Sequence, residues 1–247
     1  MTYHQERIKP YKDSSEDKKT QVRRMFDHIA PTYDSLNHTL SLGIDRLWRR
    51  KAIKALDASH PGSILDLATG TGDFAILLAR AFPKSLVQGV DISEGMMEVA
   101  RKKTKDLGLD PRVSFQVADA CEMPFQDGSF DAVTIAFGAR NFEDLDRSLK
   151  ECQRILRPGG RLIILELSYP EHFPLRQLYW LYTKTIMPLT GRLISHDDSA
   201  YTYLPDSIKA CPQGKEMEGI ILKAGFASAR HEYLSMGLCG LYEAVKH

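Results

Sequence analysis

A glycine loop between two aspartates is the part of this chain best suited to chemistry. The loop follows a short apolar run, residues 63–65, and precedes a helical pattern over residues 74–80. A strand, a tight glycine turn and a helix in this order begin a nucleotide-binding α/β unit. The residues concerned are Asp66, Gly70, Thr71, Gly72 and Asp73. Asp91 ends the next apolar run, where an acid can accept both hydroxyls of a ribose. We therefore expect an adenosine-containing ligand.

Two adenosine ligands fit the spacing of this loop. It matches the dinucleotide fingerprint G-x-G-x-x-G/A, with Asp91 in the place of the ribose-binding acid. A pyrophosphate, however, requires bare amides and the positive end of a helix dipole, whereas Asp66 and Asp73 add negative charge. S-adenosylmethionine carries a sulfonium and an ammonium, which both acids favour. The charges favour the methyl donor over NAD. The alternative that Asp73 only caps the helix stays open.

Asp119 and Ala120 follow the third predicted strand, residues 112–117. Because ligands of such sheets bind beyond the carboxyl ends of the strands, Asp119 can accept a hydrogen bond from an adenine amino group. Ala120 then leaves room for the ring. A turn or capping aspartate is the alternative for Asp119.

Composition indicates one globular enzyme domain. The 247 residues are 43% hydrophobic and 26% charged, with a formal net charge of +1, so no overall charge points to nucleic acid. The four cysteines are far apart in the sequence, which predicts reduced thiols in a cytoplasmic protein and no metal site. The polar first residues predict no signal peptide, and no apolar run reaches transmembrane length.

Strand and helix patterns alternate after the glycine loop, and Ser93 is the predicted N-cap of the helix that follows Asp91. Further apolar runs at 130–137 and 160–167, with a helical pattern at 145–156 between them, predict a doubly wound, mostly parallel sheet. We expect one α/β domain over 1–247. Its predicted parts are an N-terminal helical cap (1–60), a cofactor-binding core (61–168), a helical substrate-lid insertion after the fifth strand (169–210), and a C-terminal helix with strands (211–247).

Several motifs resemble known enzymes. Residues 64–73 and 154–161 resemble two motifs of class I S-adenosylmethionine-dependent methyltransferases. Residues 25–34 with Asn37, and the segments 43–49, 137–141 and 199–208, are similar to signatures of the menaquinone/ubiquinone biosynthesis C-methyltransferases. The resemblance covers the chain from about residue 15 onward. It implies the Rossmann-like class I fold and the conversion of demethylmenaquinol to menaquinol in menaquinone biosynthesis.

Alternative functions stay open beside this one. They are C-methylation of a ubiquinone-precursor benzoquinol, another small-molecule methyltransferase, and, last, an NAD-binding Rossmann protein.

The resemblance also assigns cofactor residues. It implies that S-adenosylmethionine is held at Thr71, at Asp91 and at the Asp119–Ala120 pair. Some members carry a serine at the end of the fourth strand, where this chain has Ala136. The first motif has Ala68 where many methyltransferases have glycine. Tyr33, in the N-terminal signature, is expected to cover the cofactor, with a core tyrosine as the alternative.

Carbon methylation of a quinol requires a group that stabilises phenolate. Arg140, just after the fourth strand, would lower the pKa of the phenol as a fixed positive charge, and Asn141 would orient its oxygen. A surface ion pair with Glu143 or Asp144 is the alternative for Arg140. His196 is the alternative base.

The expected partner is a polyprenylated demethylmenaquinol. Its tail lies in a bilayer, so peripheral contact with the membrane surface is considered for residues 46–51 and 175–182. For the first segment, ordinary helix packing with a solvated charged face is the preferred interpretation. A homodimer is left open, and no nucleic acid partner is expected.

Overall fold

The computed structural model describes residues 3–57, 59–170, 172–194 and 198–247. Four helices come first: α1 His4–Arg7, α2 Lys18–Ile29, α3 Tyr33–Leu40 and α4 Asp45–Asp57. The next elements are β1 Ser63–Leu67, α5 Asp73–Ala81, β2 Leu86–Asp91, α6 Glu94–Asp106, β3 Val113–Val117, β4 Phe130–Ala136, α7 Leu145–Ile155 and β5 Leu156–Leu167. The last are α8 Leu175–Ile194, α9 Asp198–Ala210, α10 Lys215–Lys223, β6 Phe226–Leu234 and β7 Cys239–Lys246. Short 3-10 turns cover Ala139–Asn141 and Ser235–Gly237.

The strands form one seven-stranded sheet in the order β3-β2-β1-β4-β5-β7-β6. Strands β1 to β5 are parallel, and β7 runs antiparallel to both β5 and β6. The predicted mostly parallel, doubly wound fold is confirmed. After β3 the chain returns to the other side of β1, so a crevice opens at the carboxyl ends of β1 and β4, where ligands of such sheets bind.

Central strands are apolar because helices cover both faces of the sheet. Ile64 and Leu65 of β1, and Val133 and Ile135 of β4, are completely buried. This packing holds the carboxyl ends of the strands, and the loops that follow them, in fixed positions.

The N-terminal end of α5, the helix after the glycine loop, is capped by a residue other than Asp73. Gly72, not Asp73, is the N-cap of α5, with φ at +79°, a left-handed conformation that glycine adopts without steric cost. Asp73 is the first helical residue, and its carboxylate forms an ion pair with Lys103 of α6. The capping alternative for Asp73 is therefore wrong. Ser93 does cap α6, since its hydroxyl accepts from the Met96 amide at 3.2 Å.

The N-terminal helices pack against the ligand end of the sheet. Val22 and Met25 of α2 form a small core with Tyr203 of α9. The buried Lys18 ammonium donates to the carbonyl oxygens of Gln5, Arg140 and Phe142, at 2.8, 3.0 and 3.0 Å. Burial lowers the pKa of Lys18 to about 8. The first helices are thus attached to the turn that follows β4.

Within the described residues, no helix combines the length and the apolar composition needed to cross a membrane. The division of the chain into a cap, a core and a lid stays a prediction.

Candidate active site

Two adjoining cavities lie beyond the carboxyl ends of the strands. We name the smaller, of about 80 Å³, the strand-end cavity, and the larger, of about 340 Å³, the helical cavity. Phe26, Tyr33 and Phe137 line both cavities. Groups bound in the two cavities would therefore meet at these three side chains.

Small residues from the end of β4 and from the loops after β1, β3 and β4 line the strand-end cavity: Ala68, Gly70, Ala118, Ala120, Ala136 and Gly138. Gly138 is required by space, because a Cβ at this position would lie 2.4 Å from the Cβ of Ala68. Ile92, Met96 and Phe142 add apolar surface. A wall of this kind suits a flat ring held close to the backbone.

Two predicted acids, Asp91 and Asp119, also line the strand-end cavity. Asp91 accepts from the amides of Gly70 and Ser93, at 2.9 and 3.0 Å, and burial raises the pKa of its carboxyl. Burial would also raise the pKa of Asp119, but donation from the Cys121 amide and from Lys19 outweighs it, so the pKa of Asp119 is lowered. Lys19 of α2 lies 2.9 Å from the Asp119 carboxylate.

The other predicted loop residues lie behind this wall. Asp66 is 1% exposed and accepts from the hydroxyls of Thr69 and Thr134, both at 2.7 Å. Burial raises the pKa of Asp66 to about 6, against the effect of these hydrogen bonds. Thr71 is buried and donates to Asp34 of α3. The structure thus groups Gly70, Asp91, Asp119, Ala120 and Tyr33 at the cavity, whereas Asp66, Thr71 and Gly72 shape the loop.

The helical cavity has mainly apolar and aromatic walls, contributed by α2, α3, α4, α8 and α9. They include Met25, Ile29, Leu40, Leu42, Ile44, Trp48, Leu175, Leu178, Tyr179, Tyr182, Tyr203, Leu204, Ile208 and Leu238. Arg140 and Asp45 bring opposite charges to this surface. Such a cavity suits a large, flat, apolar molecule that carries a few polar atoms.

Arg140 is 6% exposed and lines the helical cavity. Its Nη1 donates to Glu166 Oε1 at 2.8 Å and to the Phe137 carbonyl, and its backbone amide donates to Glu166 Oε2 at 3.0 Å. The predicted alternative of a surface pair with Glu143 or Asp144 is wrong, because the partner is Glu166 of β5. Among the described residues, no group accepts from the buried Nε of Arg140.

The charge of Arg140 acts on the phenols around it. Burial raises the pKa of Tyr33, Tyr179 and Tyr203, and in each case the Arg140 charge opposes that rise. A phenol placed in the helical cavity would meet the same two opposing influences: burial, which disfavours its ionised form, and the Arg140 charge, which favours it.

Asn141, next to Arg140 in the same 3-10 turn, lines the other cavity. Its Oδ1 accepts from the Tyr203 hydroxyl at 3.0 Å. The turn therefore directs neighbouring residues to both cavities, and Lys18 holds it through the carbonyl of Arg140 and that of Phe142, the residue after the turn. His196 falls outside the described residues.

Three residues of the site were not predicted from the sequence. They are Lys19, which forms an ion pair with Asp119, Glu166, which forms an ion pair with Arg140, and Asp45, which lines the helical cavity. Asp45, the first residue of α4, is buried and accepts from the Ser41 hydroxyl at 2.7 Å. Its Oδ2 lies 3.5 Å from Arg49 Nε. A single acid within the apolar run of β5 was a usable signal for Glu166, since carboxylates are rarely buried without a partner.

Comparisons with known proteins agree with this geometry. A model of the ubiE/COQ5 methyltransferase family matches residues 12–246. A Bacteroides fragilis protein named demethylmenaquinone methyltransferase is 52% identical, with 100% of each chain covered. A Geotalea daltonii protein named ubiquinone/menaquinone biosynthesis C-methyltransferase UbiE is 42% identical over 93% of this chain and 98% of its own.

The fold has a counterpart among solved structures. A SAM-dependent methyltransferase from Aquifex aeolicus superposes with a TM-score of 0.56 at 20% identity, covering 75% of this chain and 82% of that one.

Proposed function

The chain belongs to the ubiE/COQ5 methyltransferase family, and we propose that it methylates a ring carbon of demethylmenaquinol with S-adenosylmethionine, giving menaquinol. One observation carries the proposal: a strand-end cavity that carries two carboxylates, Asp91 and Asp119, adjoins a larger apolar cavity that contains a buried arginine. The first suits the methyl donor, and the second suits a naphthoquinol with a prenyl tail. The 52% identical relative named for this reaction supports the choice of acceptor.

The residues present fit the donor. Asp91 would accept from the ribose hydroxyls, and Asp119 beside Ala120 would face the adenine. The loop around the methionine part would be formed by Gly70, Thr71 and Gly72. Asp66 would hold this loop through its hydrogen bond from Thr69, and Tyr33 would cover the bound donor. When bound, S-adenosylmethionine supplies an electrophilic methyl group on a positively charged sulfur.

The helical cavity supplies the groups that activate the acceptor. Arg140 would stabilise the phenolate of the quinol, which raises the electron density at the neighbouring ring carbon. Asn141, which lines the strand-end cavity and accepts from Tyr203 of the helical cavity, would orient the oxygen. Asp45, the carboxylate on the cavity wall, would take the phenol proton as general base. After the ring carbon gains the methyl group, the same carbon would release its hydrogen as a proton to water, and Asp45 would return a proton to the oxygen, which restores the aromatic quinol. His196, the base considered from the sequence, stays a prediction.

An acceptor assay tests the proposal. The enzyme is incubated with methyl-labelled donor and either reduced demethylmenaquinone or a ubiquinone-precursor benzoquinol. We expect a ring-methylated naphthoquinol, formed about a thousandfold more slowly by the Arg140→Ala variant. Methylation of the benzoquinol alone would favour the second candidate, which the name of the Geotalea daltonii relative supports. Methylation of neither, with tight binding of NAD in calorimetry, would contradict both.

Peripheral contact with a membrane belongs to the same proposal, because the prenyl tail of the acceptor lies in a bilayer. The cytoplasmic location and the homodimer stay predictions.

A further inference from the structure

Exposed apolar residues mark an opening of the helical cavity. Leu42, in the turn between α3 and α4, and Leu178 of α8 both line the cavity, yet they are 83% and 58% exposed. A side chain that lines a cavity and also faces solvent lies at its mouth. Phe173, just before α8, and Met236, in the 3-10 turn before β7, are each 81% exposed. Phe173 lies two residues before the cavity-lining Leu175, and Met236 lies two residues before the cavity-lining Leu238. Exposed apolar groups of this size on neighbouring segments are typical of an interaction site.

Hydrogen bonds join the segments that carry these residues. The Tyr182 hydroxyl of α8 donates to the Leu40 carbonyl of α3 at 2.8 Å. The Trp48 indole of α4 donates to Ser235 Oγ, beside Met236, at 2.9 Å. Leu47, next to Trp48, is also exposed. We call the surface formed by Leu42, Leu47, Phe173, Leu178 and Met236 the rim.

Positive charges lie on the same segments. Arg46 and Arg50 of α4 are exposed, and neither forms an ion pair with a described residue. Lys51, beside them, is paired with Glu232. From residue 40 to 54 the single acid is Asp45, which is buried, and residues 172–185 contain no acid. Arg176 and Lys184 of α8 are exposed as well.

We propose that the rim docks on an anionic lipid bilayer. The apolar side chains enter the boundary between headgroups and acyl chains, and Arg46 and Arg50 face the lipid phosphates. The positive charges of Arg46 and Arg50 beside the rim favour an anionic surface as the occupant. Leu42 and Leu178 belong both to the rim and to the cavity wall, so a docked bilayer would adjoin the cavity mouth. A prenylated acceptor then enters the helical cavity without passing through water. This last step rests on the proposed function, whereas vesicle binding is measured without any acceptor.

Flotation of the full chain with lipid vesicles tests the docking. We use vesicles of phosphatidylcholine alone and vesicles that also contain phosphatidylglycerol. Because each basic residue near such a surface contributes about fivefold to binding, the Arg46→Glu/Arg50→Glu variant should bind anionic vesicles at least about tenfold more weakly. The Leu47→Ser/Phe173→Ser/Met236→Ser variant should also lose binding. Matched controls, Lys102→Glu/Lys105→Glu on the exposed part of α6 and Leu107→Ser at the residue after it, should bind like the wild type.

A second measurement separates docking from catalysis. Both the arginine variant and the apolar variant should methylate a naphthoquinol that lacks a prenyl chain at the wild-type rate. Their turnover of a prenylated acceptor in vesicles should fall. Equal flotation of the rim variants and the wild type, or no flotation of the wild type, would overturn the docking. So would rim variants that change the oligomeric state and not flotation, since the rim would then join two copies. Failure of the wild type to methylate either acceptor would overturn the proposed function and leave the flotation result intact.

Discussion

The strand-end cavity and the helical cavity share Phe26, Tyr33 and Phe137, but the chain builds them in different ways. Loops that directly follow β1, β2, β3 and β4 supply most of the first wall, and hydrogen bonds such as Gly70 to Asp91 hold it. The second wall joins helices from both halves of the chain, as in the bond from Tyr182 to Leu40, 142 residues apart. The comparison separates a proposed donor side, built by the strand ends of one sheet, from a proposed acceptor side, built by helices that lie far apart in the sequence.

Removal of the Arg140 side chain is expected to have the largest effect of all the changes, and to lower turnover without changing the affinity for the methyl donor. Because the cation stabilises the developing phenolate, Arg140→Ala should lower kcat about a thousandfold. The Kd for S-adenosylmethionine, measured by calorimetry, should change by less than about twofold, since Arg140 lines the other cavity. Arg147→Ala, an exposed arginine nearby, should leave both quantities unchanged.

Glu166 provides the control for folding in the Arg140 experiment. Arg140→Ala leaves Glu166 buried without its partner, which costs about 3–5 kcal/mol of stability. The double variant Arg140→Met/Glu166→Gln removes both charges and should recover much of that stability without recovering turnover. Recovery of turnover in the double variant would contradict a role of Arg140 in the reaction.

Asp45→Asn should have the next largest effect, again confined to the acceptor side. Loss of a general base should lower kcat about a hundredfold, with unchanged affinity for the donor. Acceptors whose phenols are more acidic should recover part of the rate, because they need less help to lose the proton. Asp57→Asn, at the exposed end of the same helix, is the matched control. A kcat equal to that of the wild type would remove Asp45 from the mechanism.

Asp91→Ala should affect the donor side. Loss of a charged acceptor for the ribose hydroxyls should raise the Kd for S-adenosylmethionine about 10- to 100-fold. The KM for a tail-less naphthoquinol at saturating donor should stay close to the wild-type value. Asp106→Ala, an exposed acid at the end of α6, serves as the control. A change in the acceptor KM alone would contradict the division between the two cavities.

The smallest expected effect is the pH dependence contributed by Asp66. Burial raises the pKa of its carboxyl from 3.8 to about 6, so the folded chain holds this proton more tightly than the unfolded chain. The stabilisation is complete below the unfolded pKa and is lost as the pH rises through the folded pKa. Relative to Asp66→Asn, the wild type should therefore lose about 1 kcal/mol of unfolding free energy between pH 5 and pH 8.

Urea unfolding of both proteins across this range measures the Asp66 effect, because the comparison cancels the titration of all other groups. A difference between the two proteins that is constant with pH would contradict the raised pKa. A change in donor affinity of Asp66→Asn larger than that of Asp91→Ala would show that Asp66 contacts the donor directly.

Much of the fold and of the donor side was predictable from the sequence, and less of the acceptor side was. The parallel sheet, the cap at Ser93 and the grouping of Asp91 with Asp119 follow from local pattern and from the rule that strand ends meet at one edge. The partner of Arg140 could not be predicted, because the choice between Glu143, Asp144 and Glu166 depends on which segment faces the turn after β4. The predicted role of His196 stays untested.

The amino-acid sequence by itself determined the order of strands and helices, the glycine loop and the acids at the strand ends, since these depend on contacts between near neighbours and on strand direction. Only the tertiary structure decided that Arg140 is a buried cation paired with Glu166, that Asp45 lies on the wall of the same cavity, and that exposed apolar residues surround its mouth. The first feature arises where the turn after β4 meets β5, and the other two arise where α3, α4, α8 and the turn before β7 pack together. A packing arrangement among distant segments leaves no local pattern in the sequence.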